Sequence, residues 1–298
     1  MVALEVPVEK IPYIRTIEGR KFRAGKWEFP DSAITKLQQY GLIDANIKIP
    51  KKEIVHYELS PHLRKYQKDI VNKALNEGSY GIFADTGTGK TLMGLEIAKH
   101  YGKTLILCPL SVIETAWVDD CKKFYPELEI TNCWATSSKK RFDAINIDSD
   151  IYVMNYESFK ILKKKILAMN FQCVIVDESQ VMKNMGAQIT NELLQLIDVI
   201  PHRFVLSGTP TPNHNSEIFP QMKFVDADIF GNNFFGFQAR YFTQDMQNPH
   251  RWYQTQENKE AYFNRLREKS VFLKKEDCVD LPPKVFQIKE FDLGSEQK

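Results

Sequence analysis

Two short stretches carry residue types that handle phosphate. Residues 84–91 read ADTGTGKT, directly after the apolar run YGIF and directly before a helical pattern. Glycines there let backbone N–H groups approach phosphate oxygens, and the N-terminus of the following helix adds partial positive charge. In such a loop Thr86, Gly87, Thr88 and Gly89 wrap the phosphates, Lys90 reaches the β- and γ-phosphates, and Thr91 ligates Mg²⁺. Ala84 stands where the general pattern has its first glycine. The second stretch, FQCVIVDESQ at 171–180, ends an apolar run in two carboxylates. Asp177 suits Mg²⁺ through a water, and Glu178 suits the group that orients and deprotonates an attacking water. Acids at a strand end occur equally as a solvated terminus; the phosphate loop upstream gives this pair its meaning. A kinase or a GTPase remains open on the pair alone, but no Asn-Lys-x-Asp guanine reader is present.

The elements that must position these residues are legible as alternation. YGIFAD, KTLILCP, DIYVMNY, FQCVIVDE and HRFVLSGTP read as buried strands. Between them TGKTLMGLEIAKHYG, IETAWVDDCKKFYP, FKILKKKILAMN and QITNELLQLIDVI read as helices. Continuous apolar strands separated by helices imply an α/β fold, a parallel sheet covered on both faces. Ligands of such sheets bind beyond the carboxyl ends of the strands, where both stretches fall. Trp117 belongs to the helix after the second strand and reads as core. Beyond Pro210 the chain turns aromatic and irregular, with helices expected but not delimited.

The first fifty residues differ. YIRTIEGRKF and RAGKWEF read as short strands around a glycine turn; PDSAITKLQQYG reads as a helix capped by Asp31 or Ser32, with Ile34, Leu37 and Tyr40 on one face and Gly41 ending it. The expected organisation is a small α+β module at 1–50, a nucleotide-binding lobe at 51–285, and at 286–298 a linker or the first strand of another lobe.

Composition excludes little. The chain has 298 residues, 43% hydrophobic and 26% charged, with net charge +2, so no strong overall field points to nucleic acid. Five cysteines form no Cys-x-x-Cys pair, and those at 108 and 173 lie in apolar runs. They read as reduced and intracellular: cytoplasmic in a bacterium or phage, nuclear in a eukaryote. No apolar run approaches the ~18 residues of a membrane helix.

The remaining motifs narrow the reading. LRKYQ (63–67), LCPLSVIETAW (107–117), VMNYESF (153–159) and LSGTPTPN (206–213), with DESQ and in this order, resemble the first half of the helicase superfamily two motor. MKNMGAQ, NSEIFPQMKFVDADIFG and LPPK are similar to the Swi/Snf-type DNA-translocating ATPases specifically, over about residues 60 to 290. The resemblance implies a RecA-like lobe using ATP and Mg²⁺. It places Gln67 on the adenine edge with Arg64 near the base. Pro109, Ser111, Asn155 and Tyr156 would lie along a DNA backbone, which positions a duplex without reading its sequence. Lys183 and the lysines at 163–165 would add phosphate contacts, the latter equally readable as a solvated face. Ser207 and Thr209 would couple the nucleotide site to DNA. Relatives usually carry histidine at Gln180; glutamine can donate and accept but does not titrate near neutrality, so a coupling bond toward Thr209 without a protonation switch is expected. The first module resembles the HARP-type module of annealing helicases, which implies binding of branched DNA; the alternative is a small packing domain with Trp27 and Phe29 as its core. A Swi/Snf-type motor has a second RecA-like lobe that supplies an arginine. The chain ends before one could form, so slow turnover is expected of it alone. Two rivals stand beside the translocase: a non-catalytic scaffold retaining the lobe, and an RNA helicase, disfavoured by DESQ and LPPK.

Overall fold

The computed structural model describes residues 2–7, 10–14, 17, 20–23, 26–29, 33–43, 54–248 and 251–278. The N-terminal unit contains β1 (Val2–Leu4), α1 (Ile11–Ile14), β2 (Lys21–Arg23), β3 (Lys26–Phe29) and α2 (Ile34–Gln39). Its strands form an antiparallel sheet ordered β1-β3-β2, with Leu4 opposite Trp27 and Lys21 opposite Glu28. Ile14, Ile17, Phe29, Ala33 and Leu37 make its core, and Trp27 packs against them half-buried. The stretch around Ile14 is helical, not a strand, and β1 is an additional strand. Gly41, at φ +61°, ends α2 as expected. The expected caps Asp31 and Ser32 lie outside the described residues.

The larger unit contains α3 (Lys65–Glu77), β4 (Tyr80–Ala84), α4 (Lys90–Tyr101), β5 (Thr104–Cys108), α5 (Asp119–Phe124), β6 (Ile130–Asn132), α6 (Ser138–Ile145), β7 (Ile151–Asn155), α7 (Tyr156–Ile166), β8 (Cys173–Asp177), α8 (Gln188–Leu194), β9 (His202–Ser207), α9 (Ile218–Val225), α10 (Phe234–Tyr241), β10 (Thr243–Gln244), β11 (Trp252–Tyr253), α11 (Gln256–Arg267) and β12 (Ser270–Leu273). Seven strands form one parallel sheet ordered β12-β4-β9-β8-β5-β7-β6. Alternate residues of each strand feed different faces. Leu105, Leu107, Tyr152, Met154, Val174 and Val176 pack with α7 to α11 on one face. Ile106, Cys108, Ile151, Val153, Cys173 and Ile175 pack with α3, α4 and residues 113–125 on the other. Burial on both sides is why these five-residue strands are apolar runs with polar residues only at their ends.

The two sheet edges, β6 and β12, and helix α6 have no counterpart in the apolar-run reading. Edge strands are covered on fewer sides, and Ile130–Asn132 is partly exposed throughout. The helix expected after β5 divides into a π-wound turn at Ile113–Val118 and a short α5. Among the described residues no helix is long and apolar enough to cross a membrane. The LPPK stretch and residues 286–298 lie outside the described residues.

Candidate nucleotide site

The parallel order brings the chemistry to one edge of the sheet. At successive carboxyl ends stand the 274–278 turn after β12, the phosphate loop after β4, Ser207-Gly208-Thr209 after β9, and Asp177-Glu178 after β8. Pro109–Ser111 follow β5, and Asn155-Tyr156 follow β7. The ATP-type motifs thus share one half of the edge, and the expected DNA contacts the other.

The loop between β4 and α4 needs its glycines. Gly87 and Gly89 lie at φ +86° and +80°, a region side chains disfavour. A Cβ at Gly89 would also stand 2.2 Å from Gln67 Nε2. Thr88 Oγ1 donates to the Asp85 carbonyl at 2.7 Å, and Lys90 Nζ donates to the Ala84 carbonyl at 2.8 Å. Tyr66 Oη and Gln67 Nε2 both donate to the Thr88 carbonyl at 2.9 Å. Gln67 Oε1 accepts from the Arg64 N–H, so this nearly buried amide braces the loop and caps α3 at once. Arg64 and Thr86 are exposed and Thr91 half-buried at the same mouth. Asp85, Thr86, Gly208, Thr209, Lys274 and Lys275 line a cleft of about 580 Å³. Lys275 N–H donates to Asp85 Oδ2, which ties the edge-strand turn to the loop.

Asp177 is only 8% exposed. Trp117 Nε1 donates to its Oδ2 at 3.1 Å and the Glu178 N–H to its Oδ1 at 3.0 Å. Burial pushes the carboxyl up to about 6, with the Glu178 charge adding to the rise; the indole bond, the Glu178 N–H and the Lys90 charge oppose it. Glu178 sits at φ +51°, a strained conformation for a residue with a side chain, which turns it out of the strand. Its Oε2 accepts from Gln180 Nε2 at 2.8 Å.

The coupling contacts differ from expectation in one atom. Gln180 Oε1 accepts from Ser207 Oγ at 2.6 Å, and Ser207 Oγ accepts from the Thr209 N–H at 3.0 Å. Gln180 therefore reaches Thr209 through Ser207 rather than directly, because Ser207, at the strand end, is nearer. A second, buried path lies beside it: Ser179 Oγ donates to Gln221 Oε1, and Gln221 Nε2 donates to the Pro210 carbonyl at 2.6 Å.

Of the expected DNA contacts, Ser111 and Lys183 are exposed and Pro109 is half-buried. Asn155 is buried and caps α7 by accepting from the Ser158 N–H. The Tyr156 hydroxyl turns inward and donates to the carbonyls of Asp177 and Leu107. These two side chains brace the site from within rather than present their polar atoms outward. Lys164 and Lys165 lie exposed on α7, opposite its buried Leu162 and Ile166. Sequence reading missed Tyr66, Gln221, Lys275 and the indole bond of Trp117. Gln221 alone left a signal, as an amide inside the apolar stretch EIFPQMKFV.

The donor set fits magnesium held jointly with phosphates. Among the described residues no three His, Cys, Asp or Glu side chains converge as a protein-only cage. The loop's hydroxyls and the Asp177 carboxylate are hard oxygen donors of the kind that complete a substrate-borne Mg²⁺.

The family model for the SNF2-related domain matches residues 52–298. The chain is similar to "SWI/SNF-related matrix-associated actin-dependent regulator of chromatin subfamily A-like protein 1 homolog" of Caenorhabditis elegans, 34% identical over 61% of this chain and 27% of that protein. It is similar to "DNA annealing helicase and endonuclease ZRANB3" of Mus musculus, 29% identical over 79% of this chain and 23% of that protein. The matches span only 19% to 27% of the length of these and the other first relatives. The fold is shared with the "Sulfolobus solfataricus SWI2/SNF2 ATPase core in complex with dsDNA": TM-score 0.60 at 20% identity, over 75% of this chain and 47% of that one. The family match begins after the N-terminal unit, which it leaves unassigned.

Proposed function

Because the chain belongs to the SNF2-related domain family, as a RecA-like motor domain of its ATPases, we propose that it binds ATP with Mg²⁺ and forms the first half of a DNA-dependent ATPase. That motor translocates along duplex DNA and remodels or reanneals duplex or branched structures. The observation that carries this reading is the shared carboxyl edge: the phosphate loop, Asp177-Glu178 and Ser207–Thr209 end adjacent strands, and Glu178, Gln180, Ser207 and Thr209 are joined by hydrogen bonds.

In this reading the loop N–H groups and Lys90 hold the phosphates, and Lys90 exchanges its bond to the Ala84 carbonyl for them. Thr91 and Asp177 would hold the metal, which would supply neutralisation of phosphate charge. Glu178 takes the proton of the attacking water, its carboxylate aimed by Gln180. Gln180 and Ser207 join that carboxylate to the loop after β9, the link this reading assigns to coupling. A second RecA-like lobe, in the same polypeptide or a partner chain, supplies the arginine that stabilises transition-state charge, an effect of about 10³–10⁵ in rate. Without that arginine, turnover is slow. The motor works where its DNA is, in a nucleus or a cytoplasm.

ATPase assay of the complete polypeptide with duplex, forked and single-stranded DNA tests this. Turnover should rise on duplex-containing DNA and vanish in Lys90→Ala. Stimulation by RNA alone points to an RNA helicase, and indifference to Lys90→Ala points to a scaffold.

A further inference from the structure

The phosphate loop and the carboxylates leave one feature of the site unexplained: a wholly buried tryptophan hydrogen-bonded to the metal carboxylate. Trp117 is 0% exposed, and its Nε1 lies 3.1 Å from Asp177 Oδ2. An indole N–H can only donate, so the bond favours an ionised, correctly rotated carboxylate. Two further observations show that the fold makes room for this contact. Trp117 rides on the π-wound turn Ile113–Val118, a rare geometry that concentrates at functional sites. Opposite the ring, Gly94 on α4 has no side chain; a Cβ there would stand 2.6 Å from Trp117 Cη2.

We propose that Trp117 is a positioning residue for the magnesium ligand Asp177, and that Gly94 is kept bare to seat its ring. The indole holds Oδ2 and the Glu178 N–H holds Oδ1, so the carboxylate cannot rotate away when the ion arrives. Outer partners of a metal ligand of this kind are worth about 10- to 100-fold in metal affinity. The π-wound turn follows directly on Pro109–Val112, at the DNA-facing half of the edge. A shift of that segment therefore bears on the carboxylate through the ring. This inference rests on the nucleotide site proposed above.

The test is binding of a fluorescent ADP analogue by the 298-residue chain, titrated with Mg²⁺, for the wild type, Trp117→Phe and Gly94→Ala. Both variants should need about 10- to 100-fold more Mg²⁺ for half-effect, while binding of the analogue in EDTA changes little. A general packing defect would weaken both conditions alike and overturns the proposal, as does an unchanged Mg²⁺ requirement in both variants. A wild-type measurement guards against variants that fail to fold. The chain has four tryptophans, and Trp27→Phe, Trp134→Phe and Trp252→Phe each delete one ¹⁵N indole signal, which identifies the fourth. That signal should move when Mg²⁺ is added to the nucleotide-saturated protein; no movement contradicts the role. If the wild type binds no nucleotide at all, the parent reading fails, and this one with it.

Discussion

Burying the Asp177 carboxyl has a cost, and Asp177→Asn measures it. The folded protein lifts this carboxyl from 3.8 to about 6, chiefly by removing it from water. Between those values the folded state holds a proton that the unfolded chain releases, so stability falls as pH rises. Above about pH 6 both states are ionised and the penalty is complete, about 3 kcal/mol. At pH 5 the same relation gives roughly half of that penalty, and at pH 7.5 all of it. Asparagine cannot ionise and escapes this penalty. It also disturbs the bonds from Trp117 and the Glu178 N–H, but that loss does not vary with pH. The stability of Asp177→Asn relative to wild type should therefore rise by roughly 1–2 kcal/mol from pH 5 to pH 7.5. Urea unfolding of both proteins in EDTA across this range gives the difference, with every other titrating group common to the two. A difference that stays flat or shrinks with pH would show that Asp177 is not held desolvated, and would refute the argument.

Two further predictions concern the contacts around the carboxylates. Gln180→Ala removes the bonds to Glu178 and Ser207; in the complete motor it should leave nucleotide binding near normal and abolish most DNA stimulation of ATPase. Retained stimulation would make Gln180 a structural residue only. Gln221→Leu orphans Ser179 Oγ and the Pro210 carbonyl in a buried setting and should destabilise the chain by about 2–4 kcal/mol in chemical denaturation.

What the sequence revealed follows from what constrains it. The strands β4, β5, β7 and β8, and Phe204–Leu206 of β9, are buried on both faces, and that burial writes an apolar run whose polar exceptions fall at the strand ends. At the edges the constraint relaxes, so Ile130–Asn132 and Ser270–Leu273 resemble loops until the sheet is seen. The phosphate loop is legible because backbone geometry demands glycine at 87 and 89. Contacts made across the fold are not legible in this way. Trp117 lies 60 residues from Asp177, and its apolar neighbours give the same pattern whether or not its N–H has a partner. Gln67 and Tyr66 meet Thr88 only because α3 packs beside α4. The Gln180 bond was anticipated in kind and differed in atom, because the pairing of β8 with β9 brings Ser207 closer than Thr209.

Everything proposed for the site depends on the loop at 84–91 binding the phosphates of ATP with Mg²⁺. Titration calorimetry of ATP into the 298-residue chain, with and without Mg²⁺, beside Lys90→Ala, measures it directly. Binding should be present in the wild type, strengthen with Mg²⁺ and be lost in Lys90→Ala. A wild type that binds no ATP, or a Lys90→Ala variant that binds it equally well, contradicts the claim.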